Sequence, residues 1–180
     1  KVTTGDTSVQ IRAEQVVIAT GSAPVELPFL PFGGKVIGSS EALSLRAVPE
    51  RLCVVGGGYI GLEIGTAFAK LGAKVTVVEA AERILPQYDS ALTRPVLKSL
   101  QALGIEVLLA TKAKGLGDKG LLVESAEGSE REIAADKVLV TVGRRPRSDS
   151  ANIASLGLAT DGPFLRVDDR CRTSMQGVFA

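Results

Sequence analysis

Three glycines at fixed spacing constrain this chain more than any other feature. Gly56, Gly58 and Gly61 form G-x-G-x-x-G between two stretches of different periodicity. Before them, Arg51-Leu52-Cys53-Val54-Val55 is a short apolar run that suits a buried strand. After them, Ile60, Ile64, Ala67, Phe68 and Leu71 recur at helical spacing. Gly72 stands where a helix C-terminal glycine belongs. Lys74 to Glu79 reads as the next strand, with β-branched Val75, Val77 and Val78. Strand, helix and strand within about 30 residues is the size of one βαβ unit.

Each glycine answers a separate physical demand. Gly56 allows a tight turn off the strand, Gly58 lets a pyrophosphate approach the backbone, and Gly61 lets the helix pack close to the sheet. Phosphates placed there face the helix N-terminus, whose free N–H groups and dipole favour negative charge. Glu79 follows about 20 residues later at the end of the next strand, where an acid accepts hydrogen bonds from ribose hydroxyls. A carboxylate there repels a 2′-phosphate, which favours NAD over NADP. Arg83 lies close by and is read as part of the solvated face beyond the strand. An alternative reading, a glycine-rich turn with a chance surface Glu, does not account for the strand, helix and acid together.

The βαβ pattern continues. Asp89 or Ser90 caps a helix running to Leu103, with Pro95 in an early turn and Gly104 as the stop. Ile105 to Leu109 reads as a third strand. From Lys112 to Ile133 no helical period is present, and Gly117-Asp118-Lys119-Gly120 suits a hairpin turn between short strands. Lys137 to Val142 is another buried strand. Gly143 then lies either beside the cofactor, outside the carboxyl ends of the strands, or in a simple turn. Near the start, Ser39-Ser40 suits the opening of a short helix, and Gln15 to Gly21 suits a buried strand. Val138 to Pro146 echoes Val16 to Pro24, since each is an apolar strand leaving through small residues to a proline. The echo suggests two related nucleotide-binding halves, one of them complete here.

Composition narrows the function. The 180 residues are 45% hydrophobic and 23% charged, as in a globular chain with a sizeable core. A net charge of +1 suggests neither a nucleic-acid nor a membrane-surface partner. There is no His, and the two cysteines, Cys53 and Cys171, form neither a metal spacing nor a redox pair. No apolar run is long enough to span a bilayer, and a reducing, cytoplasmic setting fits best. The chain starts at Lys1 without Met and stops at apolar Gly177-Val178-Phe179-Ala180. Both ends read as cuts in a longer chain.

Several motifs together resemble the dihydrolipoyl dehydrogenase family of FAD-dependent pyridine nucleotide-disulfide oxidoreductases. They are the segment from Gly56 to Gly65, Glu79, Arg83-Ile84-Leu85-Pro86, and Val142-Gly143-Arg144-Arg145-Pro146. The Ala19-Thr20-Gly21-Ser22 exit and the closing Thr173 to Ala180 add to the likeness. That family passes electrons from dihydrolipoyl groups to a disulfide, then to FAD, then to NAD.

The resemblance implies a role for each matching position. Gly56, Gly57, Gly58, Tyr59, Ile60, Gly61, Leu62 and Glu63 hold the pyrophosphate and nicotinamide half of NAD. Glu79 holds the adenosine ribose, Ala113 meets the adenine through its backbone, and Gly143 lies by the nicotinamide. Glu63 matches an acid that pairs with a Lys near the flavin. Tyr59 either covers the nicotinamide pocket or simply starts the helix. Thr20, Gly21 and Ser22 match a stretch that touches FAD in the full enzyme.

These readings give an α/β, Rossmann-like NAD-binding domain at 25–146. Its central parallel sheet is flanked by helices and carries a small antiparallel β-meander. Segments 1–24 and 147–180 join a FAD-binding domain. The first dinucleotide fingerprint, the redox cysteine pair and the His–Glu pair of the family do not occur in this sequence. The chain is therefore expected to bind NAD without catalysing lipoyl oxidation. The implied partners are NAD(H), the FAD and interface domains, and a lipoyl-bearing 2-oxoacid dehydrogenase complex, with the full enzyme a homodimer. Two other readings are the same domain from an NADH-dependent flavin reductase or oxidase, and a stand-alone NAD-binding module.

Overall fold

The structure is a computed structural model and describes residues 2–148 and 153–180. Residues 149–152 of the expected flanking segment lie outside the described residues. The chain divides into two compact units, Pro24–Gly143 and Lys1–Ala23 with Arg144–Ala180.

The larger unit contains, in chain order, β1 (Val36–Ile37), α1 (Ser39–Leu43), β2 (Arg51–Val55), α2 (Tyr59–Lys70), β3 (Lys74–Val78) and α3 (Ser90–Ala102). They are followed by β4 (Glu106–Leu108), β5 (Lys112–Leu116), β6 (Gly120–Glu124), β7 (Glu130–Ala134) and β8 (Lys137–Val140). Five of these strands form a parallel sheet in the order β1-β8-β2-β3-β4. The chain steps outward from β2 to β3 to β4, then returns to place β8 on the opposite side of β2. The direction of winding therefore reverses between β2 and β8. Antiparallel β7-β6-β5 form a separate three-stranded meander.

Strand alternation sorts the core into two layers. Leu52 and Val54 of β2, Val75 and Val77 of β3, and Leu139 of β8 face Ala42 of α1, Leu62, Ile64 and Phe68 of α2, and Leu100 of α3. Cys53 and Val55 of β2, Val78 of β3, and Val138 and Val140 of β8 face Leu121 and Val123 of the meander. All three helices thus lie on one face of the sheet and the meander covers the other. Burial on both faces explains why β2 reads as an unbroken apolar run. Each such Val or Leu contributes about 1.5–3 kcal/mol when fully buried.

Local chemistry sets the helix ends. The Asp89 carboxylate accepts a hydrogen bond from the Ala91 N–H at 2.7 Å, so Asp89 is the cap of α3. Pro95 falls in the second turn of that helix. In α1 the cap is Gly38, and both expected serines lie inside the helix. The Glu41 carboxylate folds back to accept from the Gly38 N–H at 3.0 Å, the acidic half of a capping box.

In the smaller unit, Val16–Val17 pairs in parallel with Val178–Phe179. The expected buried strand at 15–21 is therefore short, and Val16 is 46% and Val17 69% exposed. Among the described residues its only strand neighbour is 178–179, and no second layer covers its apolar side chains. The two echoed exits meet, with Ser22–Pro24 pairing against Arg144–Pro146.

Cys53 is 1% exposed, and burial pushes its thiol up to about 12. It is a core residue without thiolate character. Cys171 is exposed and free. A disulfide-exchange reagent at pH 8 is expected to titrate one thiol in the folded protein and two after denaturation. Two fast thiols in the folded protein would contradict the burial of Cys53.

Candidate functional site

In an open α/β sheet the crevice for a ligand lies outside the carboxyl ends of the strands, where the winding reverses. Here that point lies between β2 and β8. The turn at Gly56–Gly58 leaves β2 there, and Thr141–Gly143 leaves β8 beside it.

The three fingerprint glycines meet different surroundings. Gly56 has φ +107°, and a Cβ on it would stand 2.6 Å from the Thr141 carbonyl oxygen. A Cβ on Gly61 would stand 2.5 Å from both the Gly56 carbonyl oxygen and the Thr141 hydroxyl. These two glycines are required by the protein's own packing. Gly58 differs. It has an ordinary φ of −79°, and a Cβ there would meet nothing within 4 Å. No contact among the described residues bars a side chain there, and the space beside it is open.

Gly58 is also the N-cap of α2. It brings no side-chain hydrogen bond, and no acid stands in the first turn. The first-turn N–H groups of α2 are thus left without the side-chain cap that Asp89 gives α3. This is the setting an anion uses at a helix N-terminus.

Glu79 is tied directly to the glycine turn. Its Oε2 accepts from the Gly57 N–H at 2.6 Å and its Oε1 from the Ala81 N–H at 2.7 Å. A carboxylate offers about four acceptor positions, so roughly two remain for a ligand's hydroxyls. A Cβ on Gly57 would come within 3.1–3.2 Å of this side chain, so a glycine also suits the middle position. The backbone around Glu79 is stitched on both sides, its N–H donating to Leu108 O and its carbonyl accepting from Thr111 N. The following loop returns to the turn, with Leu85 N–H donating to Gly57 O at 2.9 Å. Arg83 is exposed and donates to Pro86 O within that loop.

The remaining candidates are placed as follows. Tyr59 opens α2 and is 53% exposed. Ile60 packs partly against the helix-side core, and Leu62 is buried in it, with its N–H donating to Gly58 O. Glu63 is exposed on α2. Ala113 sits in β5, opposite Val123 of β6. Gly143 has φ +129°, and a Cβ on it would meet only the far end of Val25, at 4.0 Å, so its backbone conformation is what calls for glycine. In the smaller unit, Thr20 Oγ1 donates to Arg147 O, Gly21 O accepts from Arg147 N–H, and Ser22 accepts two hydrogen bonds from Arg144.

One residue carries no signal in the sequence. Thr141 Oγ1 lies 3.2 Å from Val55 O and 3.4 Å from Gly56 O, and its backbone N–H donates to Val55 O at 2.8 Å. It comes from a strand 86 positions away from Val55, so no local pattern marks it.

Fold and turn together define a Rossmann-like α/β domain of the nucleotide-binding class. Known proteins narrow this further. A family profile described as pyridine nucleotide-disulphide oxidoreductase matches residues 1–180. A dihydrolipoyl dehydrogenase of Pseudomonas aeruginosa is 55% identical over 176 residues, covering 98% of this chain and 38% of that protein. One from Haloferax volcanii is 48% identical over 182 residues, again covering 98% and 38%. Among solved structures, the HOCl-induced flavoprotein disulfide reductase RclA of Escherichia coli, as its Cu(II) complex, matches with a TM-score of 0.85 and 28% identity. That match covers 99% of this chain and 41% of RclA. The chain therefore belongs to the pyridine nucleotide-disulphide oxidoreductase family. It spans about two fifths of the length of the curated relatives it resembles.

The surroundings of the glycines predict opposite responses to the same change. Gly61→Ala drives a Cβ into a backbone oxygen that cannot rotate away, and is expected to destabilise the fold by about 1–3 kcal/mol. Gly58→Ala meets no atom and is expected to cost under about 1 kcal/mol. Thermal unfolding of the two variants beside the unmutated protein checks both values, and equal losses would contradict the packing described.

Proposed function

We propose that this chain is the NAD(H)-binding domain of a dihydrolipoyl dehydrogenase. The observation that carries the reading is the Glu79 carboxylate, fixed at the end of β3 against Gly57, beside a helix start that no side chain caps. The 55% identity to a dihydrolipoyl dehydrogenase supports the choice of enzyme over its flavin reductase relatives.

When bound, NAD supplies the hydride-accepting nicotinamide. The chain's own residues bind and orient it. The first-turn N–H groups of α2 receive the pyrophosphate, and Gly58 leaves the space for its approach. Glu79 accepts the adenosine ribose hydroxyls, while Ala113 offers backbone to the adenine and Gly143 borders the nicotinamide. Glu79 is held rigidly by two backbone donors, so it cannot swing away from a 2′-phosphate, and the like-charge contact disfavours NADPH. The domain is taken as 25–146, with 1–24 and 147–180 joining the FAD-binding part.

FAD belongs to the parent enzyme in this reading, and the Thr20–Ser22 turn is this chain's contribution to it. The parent's activity is the oxidation of dihydrolipoyl groups carried by a 2-oxoacid dehydrogenase complex, by a homodimer. Buried Cys53 and lone Cys171 supply no redox pair, so that chemistry is assigned to residues outside this sequence.

Calorimetry of the chain with NADH and NADPH tests the proposal. NADH is expected to bind at least tenfold more tightly, a difference of about 1.4 kcal/mol. Glu79→Ala is expected to narrow the gap, and Gly58→Ala to weaken NADH about tenfold with little loss of thermal stability. Equal affinities in the unmutated chain would remove the assignment of Glu79.

A further inference from the structure

We infer that Thr141 is a positioning residue for the cofactor turn, acting through its hydroxyl on the Val55 and Gly56 carbonyls where the chain leaves β2. The inference rests on the NAD(H) reading above for its purpose, but its geometry stands alone. Several hydrogen bonds hold the turn, beginning with the Gly56 N–H, which donates to Val78 O at 2.9 Å. Glu79 takes the Gly57 N–H at 2.6 Å, and Leu85 N–H takes the Gly57 carbonyl at 2.9 Å. All of these hold the β3 side of the turn. On the β8 side the side-chain hold is Thr141 Oγ1, shared between Val55 O at 3.2 Å and Gly56 O at 3.4 Å.

Val55 O already accepts the Thr141 backbone N–H at 2.8 Å, as sheet pairing requires. The Gly56 carbonyl has passed the end of the ladder, and the Thr141 hydroxyl, its one proton shared with the nearer Val55 O, stands 3.4 Å from it. Thr141 is also the residue against which two of the glycines are shaped. Its carbonyl bars a Cβ on Gly56 and its hydroxyl bars one on Gly61. Thr141 thus stands, by its backbone carbonyl and its hydroxyl, where the start of α2 meets the end of β8. That junction borders the crevice at the reversal point.

A hydroxyl can donate here, whereas a methyl of the same shape cannot. Thr141→Val therefore removes the hold while keeping the volume, and Thr141→Ser keeps the donor. Amide hydrogen exchange of the ligand-free chain reads the hold without any cofactor. Thr141→Val is expected to speed exchange at Gly56 and Gly57 about tenfold, with Val54 and Val77 unchanged. Thr141→Ser is expected to match the unmutated chain. At a temperature where all three are folded, NADH affinity should fall three- to tenfold in Thr141→Val and recover in Thr141→Ser.

Unchanged exchange at Gly56 and Gly57 in Thr141→Val would overturn the inference. Uniformly faster exchange through β2 and β3 would overturn it as well, because Thr141 would then serve only global stability. If the unmutated chain binds no NADH, the cofactor reading fails, and the exchange comparison alone decides the role of Thr141.

Discussion

The close approach of the Gly56–Gly61 turn to the end of β8 sets the geometry around it. A strand buried on both faces must turn into a helix that lies flat on one of them. The turn has room to do so only because Gly56 and Gly61 carry no side chain against Thr141. Once that approach is made, α2 lies over Val54 and Val75, with Gly65 also packed close to both. The helix layer follows from there. Shape and binding are therefore solved by neighbouring glycines with different tasks. The outer pair admits the protein's own backbone, and Gly58 leaves space that the protein does not fill.

Glu79 joins these two tasks. Its charge faces the position assigned to a ribose, while its oxygens hold two backbone N–H groups. A group used both to build and to read a site keeps its orientation without a ligand. Preorganisation of this kind lowers the ordering cost on binding. The side chain is also fixed by strand register, since Val78 of β3 pairs with Val55 of β2 just before both strands end.

The β2-α2-β3 unit was legible in the sequence because its signals are local: an apolar run, a 3.6-residue period, a terminal glycine. The meander turn at Gly117–Gly120 was legible for the same reason, and Gly117 N–H donates to Gly120 O as a hairpin needs. What depended on distant partners was not. Thr141 looks like an ordinary strand residue until β8 is laid beside β2. Residues 15–21 look like a buried strand because their composition is apolar, yet burial needs a covering layer, and Val17 has none among the described residues. Ser39 looks like a cap because serine usually is one, but the cap is Gly38, whose own N–H donates to Glu41 from inside the helix. Placing helices on one face alone also required the fold, because periodicity gives the apolar side of a helix and not which face of the sheet receives it.

The loop after Glu79 carries one further implication. It is anchored at both ends, by Ala81 to the Glu79 carboxylate and by Leu85 to the Gly57 carbonyl. Leu85 holds this contact at φ +50°, a backbone region that side chains other than glycine seldom occupy. The segment between the anchors is thus a spacer of set length. Its outward positions include exposed Glu82 and Arg83, the latter tied back to Pro86 O. Adding or deleting a residue would detach the glycine turn. The length of this loop is therefore coupled to the position of the glycine turn, while the identity of its outward side chains is not.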